Sequence, residues 1–192
     1  MNDIISIIGF GYVGSALASV FLKKSKKIYG IDNDKTKIEN LNKKVIDIQE
    51  PQLKKKILHG IREKKIEFTS DYKFIKKSNV IIITVGTPYL KGKTNLKELK
   101  KTIEKLAKFV KKNSLIIIKS TVLPGTSEYL YTKYLRNKGI NFCYSPERIS
   151  ESNLIKEFQS LPVILGGINK KNLLSGERFF KKHLKVNIIK TE

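Results

Sequence analysis

The sequence predicts an α/β fold in which a doubly wound parallel sheet carries helices on both faces. Short apolar and β-branched runs, such as Val80–Ile83 and Leu115–Ile118, alternate along the chain with stretches of helical periodicity. Uninterrupted apolar runs of this kind are typical of parallel strands that are covered on both faces. The first run, Ile4–Ile8, leads directly into a glycine-rich turn, and a helical pattern follows that turn at once.

The turn has the pattern G-x-G-x-x-G, formed by Gly9, Gly11 and Gly14 with Tyr12 and Val13 between them. Between a strand and a helix, the first glycine allows a tight turn and the second lets the backbone approach a pyrophosphate. The third lets the helix pack closely on the strand, and the helix N-terminus offers free N–H groups to the phosphates. This context predicts a Rossmann-like dinucleotide site, with a glycine-rich turn that binds no ligand as the alternative.

An acidic residue follows at the spacing that this motif requires. The second short strand, Ile28–Ile31, ends in Asp32, which lies 18 residues beyond Gly14. A carboxylate at roughly 20 residues accepts hydrogen bonds from the adenosine ribose. It favours NAD over NADP because it repels a 2′-phosphate, although the nearby Lys35 and Lys37 weaken that inference.

The composition is that of an ordinary globular protein with room for one core. The chain has 192 residues, 40% hydrophobic and 29% charged, and we expect a single domain over 1–192. No apolar run approaches the ~20 residues that span a bilayer, and the N-terminus lacks a signal-peptide pattern. The single cysteine, Cys143, excludes an internal disulfide. These features favour a cytoplasmic protein without a membrane partner.

The net charge of +22 comes from lysines that are spread along every helix, whereas only four arginines occur. A specific nucleic-acid reader usually uses arginine for bidentate contacts and places aromatic residues between its basic ones. We therefore expect no specific nucleic-acid partner, and weak binding driven by charge alone is the alternative. A basic surface also attracts anionic nucleotide substrates.

Helical and strand patterns continue to the end of the chain. Asp34 caps a helix through Leu41, and Pro51 suits the first turn of the next helix. The further predicted strands are Ile66–Phe68, Val80–Thr84, Leu115–Ile118, Ile140–Tyr144, Val163–Leu165 and Val186–Ile189. The further predicted helices are a brief one at Tyr72–Ile75 and longer ones at Leu96–Val110, Ser127–Leu135 and Leu173–Phe180.

Three of the predicted strands run into unusually polar turns, at Val85–Pro88, Lys119–Thr126 and Ser145–Glu151. Ligands of doubly wound sheets bind at the carboxyl ends of the strands, so these turns are expected to share one site with the glycine turn. Two alternatives remain. The hydroxyls could cap helices, and Glu147 and Glu151 could lie in a solvated loop.

In order along the chain, five motifs resemble the nucleotide-sugar 6-dehydrogenases, the UDP-glucose/GDP-mannose dehydrogenase family that includes the UDP-N-acetylmannosamine enzymes. They are GFGYVG, LN with EPQL, VGTP, KSTVLPGT and SPER. The resemblance runs from residue 4 to about residue 167 and covers the family's N-terminal NAD-binding domain. The SPER form is more similar to the dehydrogenases of UDP-N-acetyl-hexosamines, mannosamine or glucosamine, than to those of UDP-glucose.

The resemblance implies oxidation of the C6 alcohol of a UDP-sugar to a carboxylate with two NAD+. By this resemblance Asp32 and Lys37 hold the adenosine ribose, and Thr87 and Ser120 line the dinucleotide. Thr121 is implied both in the cofactor site and in positioning the reacting alcohol or the hydrolytic water.

Two glutamates complete the implied site. Glu147 assists proton transfer or water attack, and Glu151 lies near the nicotinamide end. The family's cysteine nucleophile captures the aldehyde covalently, which divides one difficult step into easier ones. Its GGxC stretch does not occur in this sequence, and Cys143 lies within a predicted strand as a buried, inert thiol.

We therefore expect the NAD-binding half of such an enzyme, with the substrate-binding and catalytic-cysteine domains missing. The expected partners are a UDP-sugar bound together with the missing half, and a complementing polypeptide or a second copy. A non-catalytic NAD-binding or partner-binding module left by truncation is the alternative. His59 and His183 are predicted to be surface residues, and no metal-ligand spacing occurs.

Overall fold

The computed structural model describes residues 3–90, 92–148 and 154–191. Its strands, in chain order, are β1 (Asp3–Ile8), β2 (Ser25–Ile31), β3 (Ile66–Thr69), β4 (Val80–Ile83), β5 (Tyr89–Leu90), β6 (Lys93–Thr94), β7 (Leu115–Ile118), β8 (Asn141–Tyr144), β9 (Val163–Gly167) and β10 (Ile188–Thr191). Its α-helices are α1 (Tyr12–Phe21), α2 (Lys35–Asn42), α3 (Pro51–Arg62), α4 (Lys97–Leu106), α5 (Thr126–Leu130), α6 (Leu154–Ser160) and α7 (Lys170–His183).

The predicted α/β fold is confirmed, because eight strands form one mostly parallel sheet with helices around it. The strand order is β3-β2-β1-β4-β7-β8-β9-β10. The first six strands of that order reproduce the arrangement of doubly wound dinucleotide-binding sheets, in which the chain order reverses between β1 and β4. The carboxyl ends of β1 and β4 therefore meet at the point where such sheets bind ligands.

The last two strands depart from the predicted parallel sheet. Strand β9 pairs antiparallel to β8, and β10 then runs parallel to β9. Helix α7 packs closely on β8 and β9, since a Cβ at Gly176 would lie 2.8 Å from Cys143 Sγ and 3.2 Å from the Leu165 side chain. The apolar pattern of a strand carries no information about its direction, which explains why the sequence did not predict the reversal.

Each face of the sheet packs against its own set of helices. Alternate strand residues divide between the two cores, with Ile82 and Ile117 on one face and Ile81 and Ile116 on the other. Helices α1, α2, α3, α6 and α7 cover the first face. Helix α4, helix α5 and a 3₁₀ segment at Tyr72–Lys77 cover the second.

Several predicted elements differ in extent. Helix α4 ends at Leu106 and not at Val110, and the helix predicted to end at Leu135 changes from α to π geometry at Tyr131. Helix α6 and the β5–β6 hairpin were not predicted. The hairpin pairs only two residues from each strand, too few to give an alternating pattern. Among the described residues, no helix is long and apolar enough to cross a bilayer.

The prediction for His183 was wrong, whereas His59 is exposed as expected. The His183 side chain is fully buried at the end of α7, where it packs against the rings of Phe21 and Phe179. Its Nε2 lies 2.8 Å from Asp3 Oδ2 at the start of β1. The lysines around His183 in the sequence had suggested an exposed side chain. Instead, His183 fills the core between helix α7 and the start of β1.

The Asp3 carboxylate joins this histidine to two further residues. Lys182 Nζ lies 2.9 Å from Asp3 Oδ2, and Asn79 Nδ2 donates to Asp3 Oδ1 at 3.0 Å. Burial acts to raise the pKa of Asp3, but the hydrogen bonds from Lys182, His183 and Asn79 outweigh it, so the pKa is lowered. Burial lowers the pKa of His183 despite Asp3, so the imidazole is neutral at pH 7 and His183 Nε2 donates the hydrogen bond.

The predicted burial of Cys143 is confirmed. The thiol is fully buried in β8 and donates to the carbonyl of Asn172 at 3.1 Å. Burial raises its pKa to about 12. A thiol with that pKa carries almost no thiolate at neutral pH, so Cys143 is not a nucleophile.

We predict that the two histidines affect acid stability differently. Unfolded His183 binds a proton as the pH falls through ~6.5, whereas the folded imidazole resists it because its pKa is lowered. The free energy of unfolding should therefore fall between pH 7.5 and 5.5, and His183→Asn should remove that slope. The Asp3 carboxylate also stabilises the fold, because folding lowers its pKa. That stabilisation is lost only at lower pH, as the pH falls below ~3.8.

Melting temperatures measured across this range test the prediction, with His59→Asn as the matched control that keeps the wild-type slope. A slope unchanged in His183→Asn would contradict this account of the buried imidazole.

Candidate cofactor site

The glycine turn is held tightly against the end of strand β4. Gly9 has φ +92°, and a Cβ at this position would lie 2.9 Å from the backbone of Thr84 and Val85. The Thr84 hydroxyl donates to the carbonyl of Gly9 at 2.6 Å. Only glycine meets both demands, a left-handed backbone and backbone-to-backbone contact. Contacts with Thr84 and Val85 therefore hold the glycine turn in a single conformation.

The other two glycines have opposite surroundings. A Cβ at Gly14 would lie 2.3 Å from the Gly9 carbonyl oxygen, so this position packs the first turn of α1 on the strand. A Cβ at Gly11 would meet no atom of the described residues within 4 Å, and Gly11 is exposed. Gly11 is also the N-cap of α1, where no side chain caps the free N–H groups. The structure thus leaves open space for phosphates where Gly11 meets the helix N-terminus.

Asp32 is fixed beside this turn by three hydrogen bonds. Its Oδ2 accepts from the backbone N–H of Phe10 at 2.9 Å and from Lys37 Nζ at 3.0 Å. Its Oδ1 accepts from the N–H of Asp34 at 3.0 Å. The carboxylate at the end of β2 is therefore tied to the glycine turn and to α2. Oδ2 already accepts two hydrogen bonds, so Oδ1 is the oxygen that keeps a lone pair for a ribose hydroxyl.

A cavity of about 310 Å³ adjoins the turn and is lined by Tyr12, Lys37 and Leu41 among others. Tyr12 and Val13 are half-buried and pack against the core beneath α1. The cavity, the open space at Gly11 and the uncapped helix N-terminus fit the adenosine and pyrophosphate parts of a dinucleotide. The shape of this region and the residues that line it are therefore compatible with bound NAD.

Two hydroxyls join the turns that follow β4 and β7. Ser120 Oγ donates to the carbonyl of Val85, and Thr87 Oγ1 donates to the carbonyl of Thr121, both at 2.6 Å. Each hydroxyl hydrogen is thereby used within the protein, so toward a ligand these oxygens act as acceptors. Thr121 is exposed at the same edge. Since strands lie ~4.8 Å apart, the edge from Asp32 on β2 to the end of β8 spans ~19 Å.

Glu147 follows β8 and pairs with a buried lysine. Its Oε2 lies 3.3 Å from Lys119 Nζ, and its N–H donates to the Lys119 carbonyl at 3.2 Å. Oε1 accepts from the N–H of Arg148 at 2.9 Å. Burial lowers the pKa of Lys119, and the charge of Glu147 opposes that effect. The ring of Phe158 on α6 lies 5.7 Å from the ammonium and shields it.

Sequence reasoning gave Lys119 no role, although a lysine directly after the apolar strand Leu115–Ile118 was a signal for it. A charge placed where a buried strand ends needs a buried partner, because desolvation of a lone ion is costly. Glu151 lies outside the described residues. Within 3–90, 92–148 and 154–191, no three His, Cys, Asp or Glu side chains group as metal ligands.

Comparison with known proteins identifies the family. Residues 3–184 match the model of the UDP-glucose/GDP-mannose dehydrogenase family, NAD binding domain. The UDP-glucose 6-dehydrogenase of Rickettsia prowazekii is 34% identical over 171 residues, which are 87% of this chain and 39% of that protein. The UDP-N-acetyl-D-mannosamine dehydrogenase of Pyrococcus horikoshii is 29% identical over 194 residues, 97% of this chain and 46% of that protein.

A solved structure of the UDP-D-ManNAc dehydrogenase of Pyrococcus horikoshii superposes with a TM-score of 0.93 at 27% identity. The match covers 98% of this chain and 47% of that one. The chain therefore belongs to the UDP-glucose/GDP-mannose dehydrogenase family, of which it contains the NAD-binding domain. It spans roughly two fifths to one half of the length of these relatives.

We predict that two glycine substitutions separate folding from binding. Gly14→Ala should lower the melting temperature strongly, because its Cβ would collide with the Gly9 carbonyl. Gly11→Ala should leave the melting temperature nearly unchanged, because its Cβ meets no atom in the part of the chain that the structure describes, yet it should weaken NAD+ binding. Calorimetric titration with NAD+ and thermal melts measure both effects. Gly11→Ala with full NAD+ affinity would argue against phosphates at this position.

We also predict strong coupling between Lys119 and Glu147. Lys119→Met and Glu147→Gln should each lower the melting temperature by about 6 °C or more, since removing one partner of a buried pair costs ~3 kcal/mol. The double variant should lose much less than the two singles together. The exposed pair Lys101–Glu98, at 3.2 Å, is the matched control, and its coupling should be small. Additive losses at Lys119 and Glu147 would disprove the pairing.

Proposed function

We propose that this chain provides the NAD-binding part of a nucleotide-sugar 6-dehydrogenase, which oxidises the C6 alcohol of a UDP-sugar to the carboxylate with two NAD+. The observation that carries the proposal is the fixed Asp32 carboxylate beside the open space at Gly11. Bound NAD supplies the hydride acceptor for each oxidation. The binding of the adenosine end then falls to Asp32 and Lys37, and that of the pyrophosphate to Gly11 and the start of α1.

The reacting end of the sugar is proposed to lie at the turns after β7 and β8. There the exposed Thr121 positions the alcohol or a water molecule, and Glu147 accepts or returns a proton. Lys119 supports this assignment because it holds the Glu147 carboxylate at 3.3 Å from its ammonium group. Thr87 and Ser120 line the cofactor between the two ends, with Glu151 proposed at the nicotinamide end.

UDP-N-acetylmannosamine is the proposed sugar nucleotide. The sequence Ser-Pro-Glu-Arg at 145–148 and the likeness to the Pyrococcus horikoshii enzyme support it, whereas the Rickettsia prowazekii relative favours UDP-glucose. Cys143 is buried and has a raised pKa, so the covalent step needs a cysteine outside this chain. A complementing polypeptide, with a second copy as the alternative, is the proposed partner, and the cytoplasm is the proposed location.

A binding module without catalysis is the second candidate function. The buried Lys119–Glu147 pair argues against it, because NAD binding alone does not need an ion pair at the end of β8. Oxidation of UDP-N-acetylmannosamine after addition of the polypeptide that carries the GGxC sequence would separate the two candidates.

We predict that Asp32→Ala weakens NAD+ binding by roughly tenfold or more, since lost hydrogen bonds from a charged acceptor cost ~1.5–3 kcal/mol. Glu147→Gln should leave the affinity within about twofold, because this residue is assigned to the sugar. Calorimetric titration of both variants with NAD+ measures the difference. Equal losses in the two variants would contradict the proposed division of the site.

A further inference from the structure

A second cleft lies at the opposite edge of the sheet from the glycine turn. Its volume is about 630 Å³, and it is lined by the end of α1, by α3, by the residue before β3 and by the end of α7. Helix α1 begins at the glycine turn and runs ten residues back along the sheet, so ~15 Å separate the two places. The cleft is therefore separate from the cofactor site.

Lysines dominate the lining of this cleft. Among the residues that the structure describes, the lining includes five lysines and two histidines and no Asp or Glu. The cavity beside the glycine turn has a mixed lining by comparison, with Asp34 and Asp47 as well as Lys37. Lysine is frequent throughout the chain, but the absence of acidic residues from a concave surface of this size distinguishes the cleft.

Helix capping explains only one of the five lysines. The carboxyl ends of α1 and α7 meet here, and their free carbonyls attract cations. Lys24 Nζ donates to the carbonyl of Lys182 at 2.6 Å, which satisfies the last turn of α7. The other four side chains form no hydrogen bond, ion pair or ring contact within the described part of the chain. They are Lys23, Lys56, Lys65 and Lys185, which we call the cleft lysines.

His183 also lines the wall of the cleft, but it adds no contact to an anion, because its neutral imidazole donates through Nε2 to Asp3 and its Nδ1 is only an acceptor. The residue is 6% exposed, and its Nδ1 has no hydrogen-bond partner among the described residues. Asp3, which contacts His183, is already bound to Lys182, His183 and Asn79, so it does not neutralise the cleft lysines. Four unpaired ammonium groups around one concave surface produce a strongly positive potential.

We propose that this cleft binds a ligand with two or more linked phosphate groups. Lysine ammonium groups bind phosphate as point charges, and the volume far exceeds that of one phosphate ion, given ~30 Å³ for a water molecule. Val20, Leu22 and Leu184 give the cleft an apolar floor. That floor suits the base of a nucleotide, whereas the lysines alone suit inorganic polyphosphate. Both sources share the linked phosphates that the cleft recognises.

Calorimetric titration of the full chain with tripolyphosphate in 150 mM salt tests the proposal. Lys23→Glu with Lys185→Glu should weaken binding at least tenfold, and both residues are exposed, so the fold should persist. Lys111→Glu with Lys138→Glu makes the same change in charge at exposed positions away from the cleft and should weaken binding less than twofold. Equal losses in the two double variants would overturn the proposal in favour of diffuse attraction by the net charge.

Two further arms separate the cleft from the cofactor site. Gly11→Ala should keep tripolyphosphate binding, and saturating NAD+ should not displace the anion; loss of binding in Gly11→Ala or displacement by NAD+ would place the phosphates at the glycine turn and overturn the proposal. Lys56→Ala with Lys65→Ala provides a second test that reverses no charge. Tighter binding of ATP than of tripolyphosphate would support a nucleotide as the ligand, and equal binding would support free polyphosphate.

Discussion

The contact between the backbones of Gly9 and Thr84 is the constraint on which the site depends. A side chain at Gly9 would lie 2.9 Å from the Thr84 backbone, and one at Gly14 would lie 2.3 Å from the Gly9 carbonyl. These approaches fix where α1 begins and leave its uncapped N–H groups beside the open space at Gly11. The Phe10 N–H then donates to Asp32, so the same turn holds the proposed ribose acceptor beside the proposed phosphate site.

At the carboxyl ends of the other strands, side-chain contacts connect each turn to the neighbouring turn. Ser120 binds the backbone after β4, and Thr87 binds the backbone of Thr121 after β7. The buried ammonium of Lys119 then holds Glu147 after β8. These contacts fix the short loops after β4, β7 and β8 relative to one another. Fixed loops suit the proposed site, where cofactor and substrate must be held in one geometry.

Local sequence patterns predicted most of the fold and the placement of Asp32 beside the glycine turn. Strand Leu115–Ile118 could be predicted because uninterrupted β-branched runs are local signals, and Gly9–Gly14 and Asp32 because their spacing is fixed by one βαβ unit. The burial of His183 could not be predicted, since it depends on Asp3, far along the chain. For Lys119 the end of a buried strand was a signal for a buried partner, but it did not identify Glu147 as that partner. Strand direction at β9 was also missed, because it depends on packing against α7 and leaves no periodic pattern.

Thermal melts of the chain with NAD+ and, separately, with NADP+ test the central claim most directly. A ligand that binds only the folded state adds about 2.7 kcal/mol of stability at a hundredfold excess over Kd, or roughly 5–10 °C for a chain of this size. The fixed Asp32 carboxylate predicts a saturable rise with NAD+ and a much smaller rise with NADP+. No rise with either dinucleotide would contradict the account of the glycine turn, and an equal rise with both would contradict the role of Asp32.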